Sequence, residues 1–177
     1  MTSYTEHAGL VTMHGKPIVL VGANAGAGER APDFKAVDGD FAPVSLSDFK
    51  GKVVLISAVP SLDTKVCSLQ TKRFNEESAK LPKDVVIVTI STDLPFAQKR
   101  FCSTEGIDRI KVLSDSVWHD FGSKYGLVIK DMGLLARSVF VVGKDGRIAY
   151  EQIVPELTNH PDYDAALKAA RDACGQE

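Results

Sequence analysis

Cysteine, excess charge of one sign and long apolar runs are all scarce in this 177-residue sequence. Its three cysteines, at positions 67, 102 and 174, are too few and too scattered for the disulfide framework of a small secreted protein. Lys and Arg (21) nearly balance Asp and Glu (23) without basic runs, which disfavours nucleic acid as a partner. No apolar stretch reaches the roughly 18 residues of a membrane span, and the start lacks a secretory signal pattern. We therefore predict a cytoplasmic protein with no nucleic-acid or membrane partner.

The rest of the composition is that of a single globular domain. Hydrophobic residues make up 44% and charged residues 25%, which argues against a disordered or fibrous chain. A chain of this length buries enough surface to fold without a disulfide or a structural metal. We predict one domain over residues 1–177, in which residues 10–22 form an added N-terminal β-hairpin that turns at Gly15-Lys16.

Two kinds of ligand site are disfavoured because partner residues are missing. The glycine-rich stretch 22–28 lacks the Lys-Ser or Lys-Thr of a phosphate-binding loop, and Pro32 soon follows it. The four histidines are dispersed, with no pair at metal-ligand spacing beside a cysteine. We therefore expect neither a cofactor nor a metal.

Short β-branched runs alternate with helical patterns along the rest of the chain. The runs 53–56, 85–90 and 139–142 are typical of strands covered on both faces. A helical pattern at 67–80 makes the first two a parallel crossover, and a turn at 143–146 joins the third to 148–150 as a hairpin. Further helices are expected after Pro95, with Thr92 or Asp93 as N-cap, over 117–125, and from about 159–161 onward, with Cys174 on an apolar face. This order predicts an α/β thioredoxin-like sandwich, a central mixed sheet flanked by helices.

The segment Pro60-Ser61-Leu62-Asp63-Thr64-Lys65-Val66-Cys67 lies between a buried strand and a helix. If Thr64 is the N-cap, Cys67 is the third helical residue, where unpaired backbone N–H groups favour an anionic sulfur. The helix dipole supplies only about 0.3 to 1 kcal/mol, too little to ionise an ordinary thiol at neutral pH. A hydrogen bond, which Thr64 can donate, and a fixed cation are therefore needed. Pro60 would bend the strand exit and remove a competing donor.

This segment resembles the signature of the peroxiredoxins, in which Pro, Thr and Cys are spaced as in Pro60, Thr64 and Cys67. Three later stretches are similar, in the same order, to segments of the thiol peroxidase subfamily. They are Ser91-Thr92-Asp93-Leu94-Pro95-Phe96-Ala97-Gln98-Lys99-Arg100-Phe101-Cys102, Leu135-Ala136-Arg137-Ser138-Val139-Phe140-Val141, and Pro161-Asp162-Tyr163-Asp164-Ala165-Ala166-Leu167. The similarity covers roughly residues 10 to 170.

The resemblance implies a role for each matching residue. Cys67 is expected to be the peroxidatic nucleophile, Thr64 its hydroxyl partner, and Arg137 the guanidinium that stabilises the thiolate and polarises the peroxide. Cys102 is implied as the resolving thiol, which converts the Cys67 sulfenic acid to an intramolecular disulfide. The resemblance further implies hydrogen peroxide and organic hydroperoxides as substrates, thioredoxin as the reductant, and a homodimer. If both cysteines lie in helices when reduced, a helix end must unwind before the sulfurs can meet.

Other interpretations of these residues stay open at the level of sequence. Cys67 taken alone fits a buried inert cysteine, Cys102 a partly buried helix residue, and Arg137 one half of a surface ion pair. A thiol-disulfide reductase is disfavoured because residues 67–70 read Cys-Ser-Leu-Gln, without a second cysteine. A redox sensor that is oxidised through Cys67 and Cys102 would react once, whereas an enzyme would turn over.

Overall fold

The computed structural model describes residues 4–175, and this part of the chain forms ten strands, four α-helices and a 3₁₀ turn at Leu46–Phe49. The strands are β1 (Thr5–Met13), β2 (Lys16–Gly22), β3 (Lys35–Val37), β4 (Pro43–Ser45), β5 (Val53–Ala58), β6 (Val85–Ser91), β7 (Lys111–Ser114), β8 (Val128–Ile129), β9 (Ser138–Val142) and β10 (Ile148–Ile153). The helices are α1 (Lys65–Ser78), α2 (Pro95–Glu105), α3 (Asp120–Tyr125) and α4 (Tyr163–Gly175).

Seven strands form the central sheet in the order β10-β9-β5-β6-β7-β3-β4. β5, β6 and β7 run parallel, whereas β9 and β10 are antiparallel to their neighbours, so the sheet is mixed. The predicted crossover from β5 through α1 to β6 is confirmed, as is the hairpin of β9 and β10. Every residue of β5 is buried, because strands and helices cover it on all sides.

Two apolar clusters occupy the two faces of the sheet. Val53 and Leu55 of β5 point into one cluster, which also contains Phe74 of α1 and Leu167 of α4. Val54 and Ile56 point into the other cluster, together with residues of α3 and of the N-terminal hairpin. This alternation follows from the two-residue period of a strand. It confirms the thioredoxin-like sandwich with helices on both faces.

The N-terminal hairpin begins at Thr5, earlier than the sequence pattern indicates, and turns at His14 and Gly15, both of which have positive φ. β1 pairs with β2, and β2 pairs with β8 in a separate three-stranded sheet. Its buried residues Val11 and Leu20 join the core cluster on one face of the central sheet.

Several boundaries differ from the sequence prediction for local reasons. α1 spans 65–78 rather than 67–80, and α4 begins at Tyr163. α3 begins only at Asp120 because His119 has a left-handed φ of 50°, which leaves Val117 outside the helix and exposed. The N-cap of α2 is Leu94, so the prediction of Thr92 or Asp93 is wrong. In residues 4–175, no helix is long and apolar enough to cross a membrane.

Candidate active site

Cys67 lies in the first turn of α1, directly after the loop that follows β5, as predicted. Thr64 is the N-cap with extended φ and ψ of −101° and 149°, and the first helical hydrogen bond runs from the Ser68 N–H to the Thr64 carbonyl at 3.0 Å. Cys67 is therefore residue N3. Its backbone N–H is one of the N–H groups at the start of the helix that have no carbonyl partner within the helix. Pro60 is buried between the strand and this loop.

The hydroxyl of Thr64 is already committed as a donor. It donates to the Ser61 carbonyl at 2.8 Å, and the Thr64 N–H donates to the same oxygen at 3.1 Å. A hydroxyl has one hydrogen but two acceptor lone pairs. In this structure Thr64 therefore acts as an acceptor toward any further partner, not as the donor to sulfur that the sequence suggests.

Cys67 itself is fully buried, with 0% of its surface exposed. It packs with Val59 and Leu62, and the partly buried Phe101 and Val112 close this small cluster. All three cysteines of the chain are free thiols, so this is the reduced form. Apolar walls of this kind keep water from the sulfur and strengthen any charge interaction there.

Arg137 is the buried cation of the site, with 3% of its surface exposed. Its Nη1 donates to Gln70 Oε1 and its Nε donates to the Leu157 carbonyl, both at 2.9 Å. Gln70 is fixed in turn, because its Nε2 donates to Ser57 Oγ at 2.8 Å. Within residues 4–175, no carboxylate lies within salt-bridge distance of Arg137, so the surface ion pair considered above is excluded. A buried guanidinium without a counter-charge is costly and calls for an anion.

Sheet register and helix geometry place Arg137 on the side of α1 that carries Cys67. Ala58 at the end of β5 pairs with Ser138, the first residue of β9, so Arg137 lies just before β9, beside the loop that leads to α1. Gln70, which Arg137 contacts, is three residues after Cys67 in α1, and residues three apart share a helix face. Arg137 and Cys67 therefore lie on the same side of α1.

Tyr163 at the start of α4 lies close to both Arg137 and Cys67. Burial raises the pKa of Tyr163, the cations Arg137 and Arg73 oppose that increase, and Cys67 adds to it. The Tyr163 ring packs edge-on against Phe74 of α1, and its hydroxyl lies 2.6 Å from Nδ1 of His160. The start of α4 therefore packs against α1 beside Arg137 and Cys67.

The N-terminal hairpin supports Arg137 indirectly. The Leu157 carbonyl that accepts from Arg137 belongs to a segment held by Thr12 of β1: the Thr12 N–H donates to Pro155 and the Leu157 N–H donates to Thr12. The Glu156 carboxylate reinforces this junction by accepting from the N–H groups of Gly15 and Thr158 at 2.8 and 2.9 Å. These bonds, with the Thr158 N–H contributing most, lower the pKa of Glu156 to about 2.

We expect Glu156→Gln to destabilise the protein in a pH-dependent manner. The Glu156 pKa is lower in the folded chain than the ordinary value of 4.5, so its contribution is complete above pH 4.5 and is lost as the pH falls toward 2. Urea unfolding should show wild type more stable than the variant at pH 7, with the gap narrowing by pH 3. A gap that is independent of pH would contradict this role for the carboxylate.

Cys102 lies in the last turn of α2, near the Cys67 cluster. Burial raises the pKa of its thiol. Its carbonyl accepts from the N–H groups of Gly106, which has the left-handed φ of 67° common at helix ends, and Ile107. Phe101 beside it and Val112, which lines a cavity of about 300 Å³ with Cys102, both pack on the Cys67 cluster. Val112 thus contacts the Cys67 cluster and also lines the cavity beside Cys102.

Other candidate ligand positions lie outside this site. A second cavity of about 300 Å³ lies at the opposite end of the sheet, where Val54, Val142 and Lys144 line it. No group of three His, Cys, Asp or Glu in residues 4–175 is placed to hold a metal ion. Cys174 is half-buried against the α4 side of the core, away from the Cys67 cluster.

The sequence interpretation missed two residues of the site, Gln70 and Asp93. Gln70 is polar yet 0% exposed, and its spacing of three from Cys67 was the available signal. The sequence pattern predicts Thr92 or Asp93 as the cap of α2, whereas the Asp93 carboxylate accepts from the Ser61 hydroxyl and the Leu62 N–H at 2.7 and 2.8 Å. The competing donors of the Cys67 loop explain why Asp93 does not cap α2.

Comparison with known proteins gives consistent matches over most of the chain. Residues 26–167 match the Redoxin family. A thiol peroxidase from Oceanobacillus iheyensis is 52% identical over 157 residues, which cover 89% of this chain and 95% of the relative. A thiol peroxidase from Bacillus subtilis is 49% identical over 161 residues, which cover 91% and 96% respectively.

Solved structures agree with these matches. A peroxiredoxin-like protein from Aquifex aeolicus superposes with a TM-score of 0.88 at 40% identity, covering 94% of this chain and 99% of that one. A thiol peroxidase from Chromobacterium violaceum has a TM-score of 0.82 at 19% identity over the full length of both chains, which shows the shared fold.

Proposed function

Because this chain belongs to the thiol peroxidase subfamily of the peroxiredoxins and is a peroxidase, we propose that it reduces hydroperoxides through a sulfenic acid at Cys67. The observation that carries this proposal is the buried guanidinium of Arg137, which lacks a carboxylate within residues 4–175 and lies on the Cys67 side of α1. Hydrogen peroxide and organic hydroperoxides are the proposed substrates.

In the first step the Cys67 thiolate attacks the terminal oxygen of the peroxide. The sulfur–oxygen bond forms as the O–O bond breaks, and the departing alkoxide or hydroxide takes a proton to become alcohol or water. Sulfur is oxidised to Cys67 S–OH and the peroxide is reduced. Arg137 stabilises the thiolate before attack and the negative charge that develops on the leaving oxygen.

Thr64 and Pro60 position the peroxide and the nucleophile in this scheme. The Thr64 hydroxyl donates to the Ser61 carbonyl, so its oxygen is available to accept from the O–H of the incoming peroxide. Pro60 is buried and has no N–H, so it presents no unsatisfied donor beside the sulfur.

In the second step we propose that Cys102 resolves the sulfenic acid. Its sulfur displaces the hydroxyl of Cys67 S–OH, which leaves as water with the thiol proton of Cys102, and an intramolecular disulfide forms. The raised pKa of Cys102 keeps it protonated at first, which suits a thiol that reacts only after exposure. Cys102 lies in the last turn of α2, where unwinding breaks few hydrogen bonds.

We expect Cys102→Ser to retain one round of peroxide reduction but to lose cycling. A burst of one equivalent of peroxide per chain should be followed by a turnover at least about tenfold slower when thioredoxin and its reductase supply electrons. A non-reducing peptide map of wild type after one equivalent of peroxide should show the peptides of Cys67 and Cys102 joined. Undiminished cycling in the variant, or a bond to Cys174, would overturn the resolving role.

Recycling requires an external dithiol, and we propose thioredoxin. Thioredoxin is itself kept reduced in the cytoplasm, which is the location we propose for the protein. We further propose a homodimer, supported by the exposed apolar residues beside α2, where Leu94 and Phe96 are 58% and 69% exposed and the ring of Phe96 lies 5.4 Å from that of Phe41. Light scattering by the reduced protein tests this state directly.

A further inference from the structure

Asp93 joins the two cysteine-bearing segments through one carboxylate. It lies in the connection between β6 and α2, the helix of Cys102. Its Oδ1 accepts from Ser61 Oγ at 2.7 Å, while its Oδ2 accepts from the Leu62 N–H at 2.8 Å and from Ser91 Oγ at 2.7 Å. Ser61 and Leu62 belong to the loop that leads into the first turn of α1, which holds Cys67.

Hydrogen bonds extend from this carboxylate into both helices. On the α1 side, the Ser61 carbonyl accepts from the hydroxyl and the N–H of the N-cap residue Thr64. On the α2 side, the buried Gln98 donates through Nε2 to Ser91 Oγ at 3.0 Å and to the Leu113 carbonyl at 2.8 Å. The Asp93 carbonyl also accepts from Ser114 Oγ at the end of β7. Asp93 is thus the link between the starts of α1 and α2.

We propose that Asp93 is a positioning residue that locks both cysteine segments in the reduced form and must release them before the disulfide can form. This inference rests on the proposed function. Cys67 is 0% exposed, and the two free thiols lie in different helices, Cys67 in the first turn of α1 and Cys102 in the last turn of α2. The sulfurs therefore bond only when one or both segments move. A movement of the Cys67 loop separates Ser61 and Leu62 from Asp93. Bonds to a carboxylate are stronger than neutral ones, which makes this group an effective lock.

The two half-reactions place opposite demands on the lock. Attack on peroxide needs Cys67 held in its pocket with Arg137, and therefore needs the hydrogen bonds from Ser61 and Leu62 to Asp93 to be formed. Formation of the Cys67–Cys102 bond, with loss of the sulfenic oxygen as water, needs these hydrogen bonds to be broken. Weakening Asp93 should therefore slow the first step and accelerate the second, a pattern that a purely structural residue would not produce.

Asp93→Asn keeps the shape but loses the charge and part of the acceptor capacity. In rapid-quench experiments with one equivalent of peroxide, we expect sulfenic acid formation several-fold slower than wild type and disulfide formation about tenfold faster. The variant should also need a higher peroxide concentration for over-oxidation to sulfinic acid, because resolution competes with that reaction. The matched control is Asp145→Asn, whose carboxylate accepts from the Arg147 N–H in the β9–β10 turn at the far end of the sheet.

Hydrogen exchange of the reduced protein tests the lock without any turnover. In Asp93→Asn, residues 60–68 and 94–102 should both exchange faster, while the control variant leaves both unchanged. Faster exchange in one segment alone, or equal slowing of both chemical steps, would overturn the proposal. If Asp93→Asn does not fold, Ser61→Ala removes one of the three donors to the Asp93 carboxylate, together with an acceptor of the Asp63 N–H. It should produce the same opposite shifts at smaller size. Absence of peroxide reduction in wild type would instead reject the proposed function and leave the exchange result to decide on the lock.

Discussion

Replacing Cys67 by serine is expected to lower the rate of hydroperoxide reduction by at least about a thousandfold. A serine hydroxyl at the start of α1 stays protonated at neutral pH, and oxygen is a poor nucleophile toward a peroxide bond. Loss of hydroperoxide should be followed with thioredoxin, its reductase and NADPH in excess, so that only the protein limits the rate.

The matched control for this experiment is Cys174→Ser. Cys174 is half-buried in α4 and packs with the core cluster of that helix. It should retain the full wild-type rate and the wild-type melting temperature within a few degrees. If Cys67→Ser keeps more than a tenth of the activity, the nucleophile is another group.

Replacing Arg137 by methionine is expected to lower the rate of Cys67 oxidation by about a hundredfold or more. In the proposed mechanism Arg137 stabilises the thiolate and the leaving oxygen, and loss of one such preorganised donor typically lowers a rate by a factor of about 10²–10³. Methionine fills a similar volume, but it carries no charge and no donors for Gln70 and Leu157. The fraction of thiolate at pH 7, followed by ultraviolet absorbance and by iodoacetamide alkylation, should fall with the rate.

Arg137→Lys separates charge from geometry at the same position. Lysine keeps the positive charge but lacks the planar fork that bonds the Gln70 side chain and the Leu157 carbonyl at the same time. We expect a rate between those of wild type and Arg137→Met, with most of the thiolate retained. Equal alkylation of all three proteins would show that Arg137 does not stabilise the sulfur.

The local part of the site could be predicted from sequence because its signals are local. The N-cap at Thr64 and the position of Cys67 at N3 depend on a few consecutive residues, and the structure places both as expected. The contacts of Arg137 with Gln70 and Leu157 join residues 67 and 20 positions apart, and no periodicity encodes them. The donor role of Thr64 failed for a similar reason, because the Ser61 carbonyl competes for its only hydrogen.

In the fold, too, the elements with strong local patterns could be predicted and those that depend on distant residues could not. β5, β6 and β9 are continuous runs of mainly β-branched residues, and this composition predicts all three as buried strands. β3, β4 and β8 have two or three residues each, and they form because an existing strand offers its edge. Such short strands carry too little pattern to be predicted. Asp93 shows how tertiary donors can override a helix-capping signal.

Trapping the oxidised sulfur tests most directly whether Cys67 is the atom that attacks the peroxide. Cys102→Ser would be treated with one equivalent of hydroperoxide in the presence of dimedone, which reacts with sulfenic acids, and its peptides would be analysed by mass spectrometry. We expect one adduct per chain, on the peptide that contains Cys67, and none when Arg137→Met is added and the exposure to peroxide is brief. An adduct confined to Cys174, or an unmodified Cys67 after the peroxide has been consumed, would contradict the assignment.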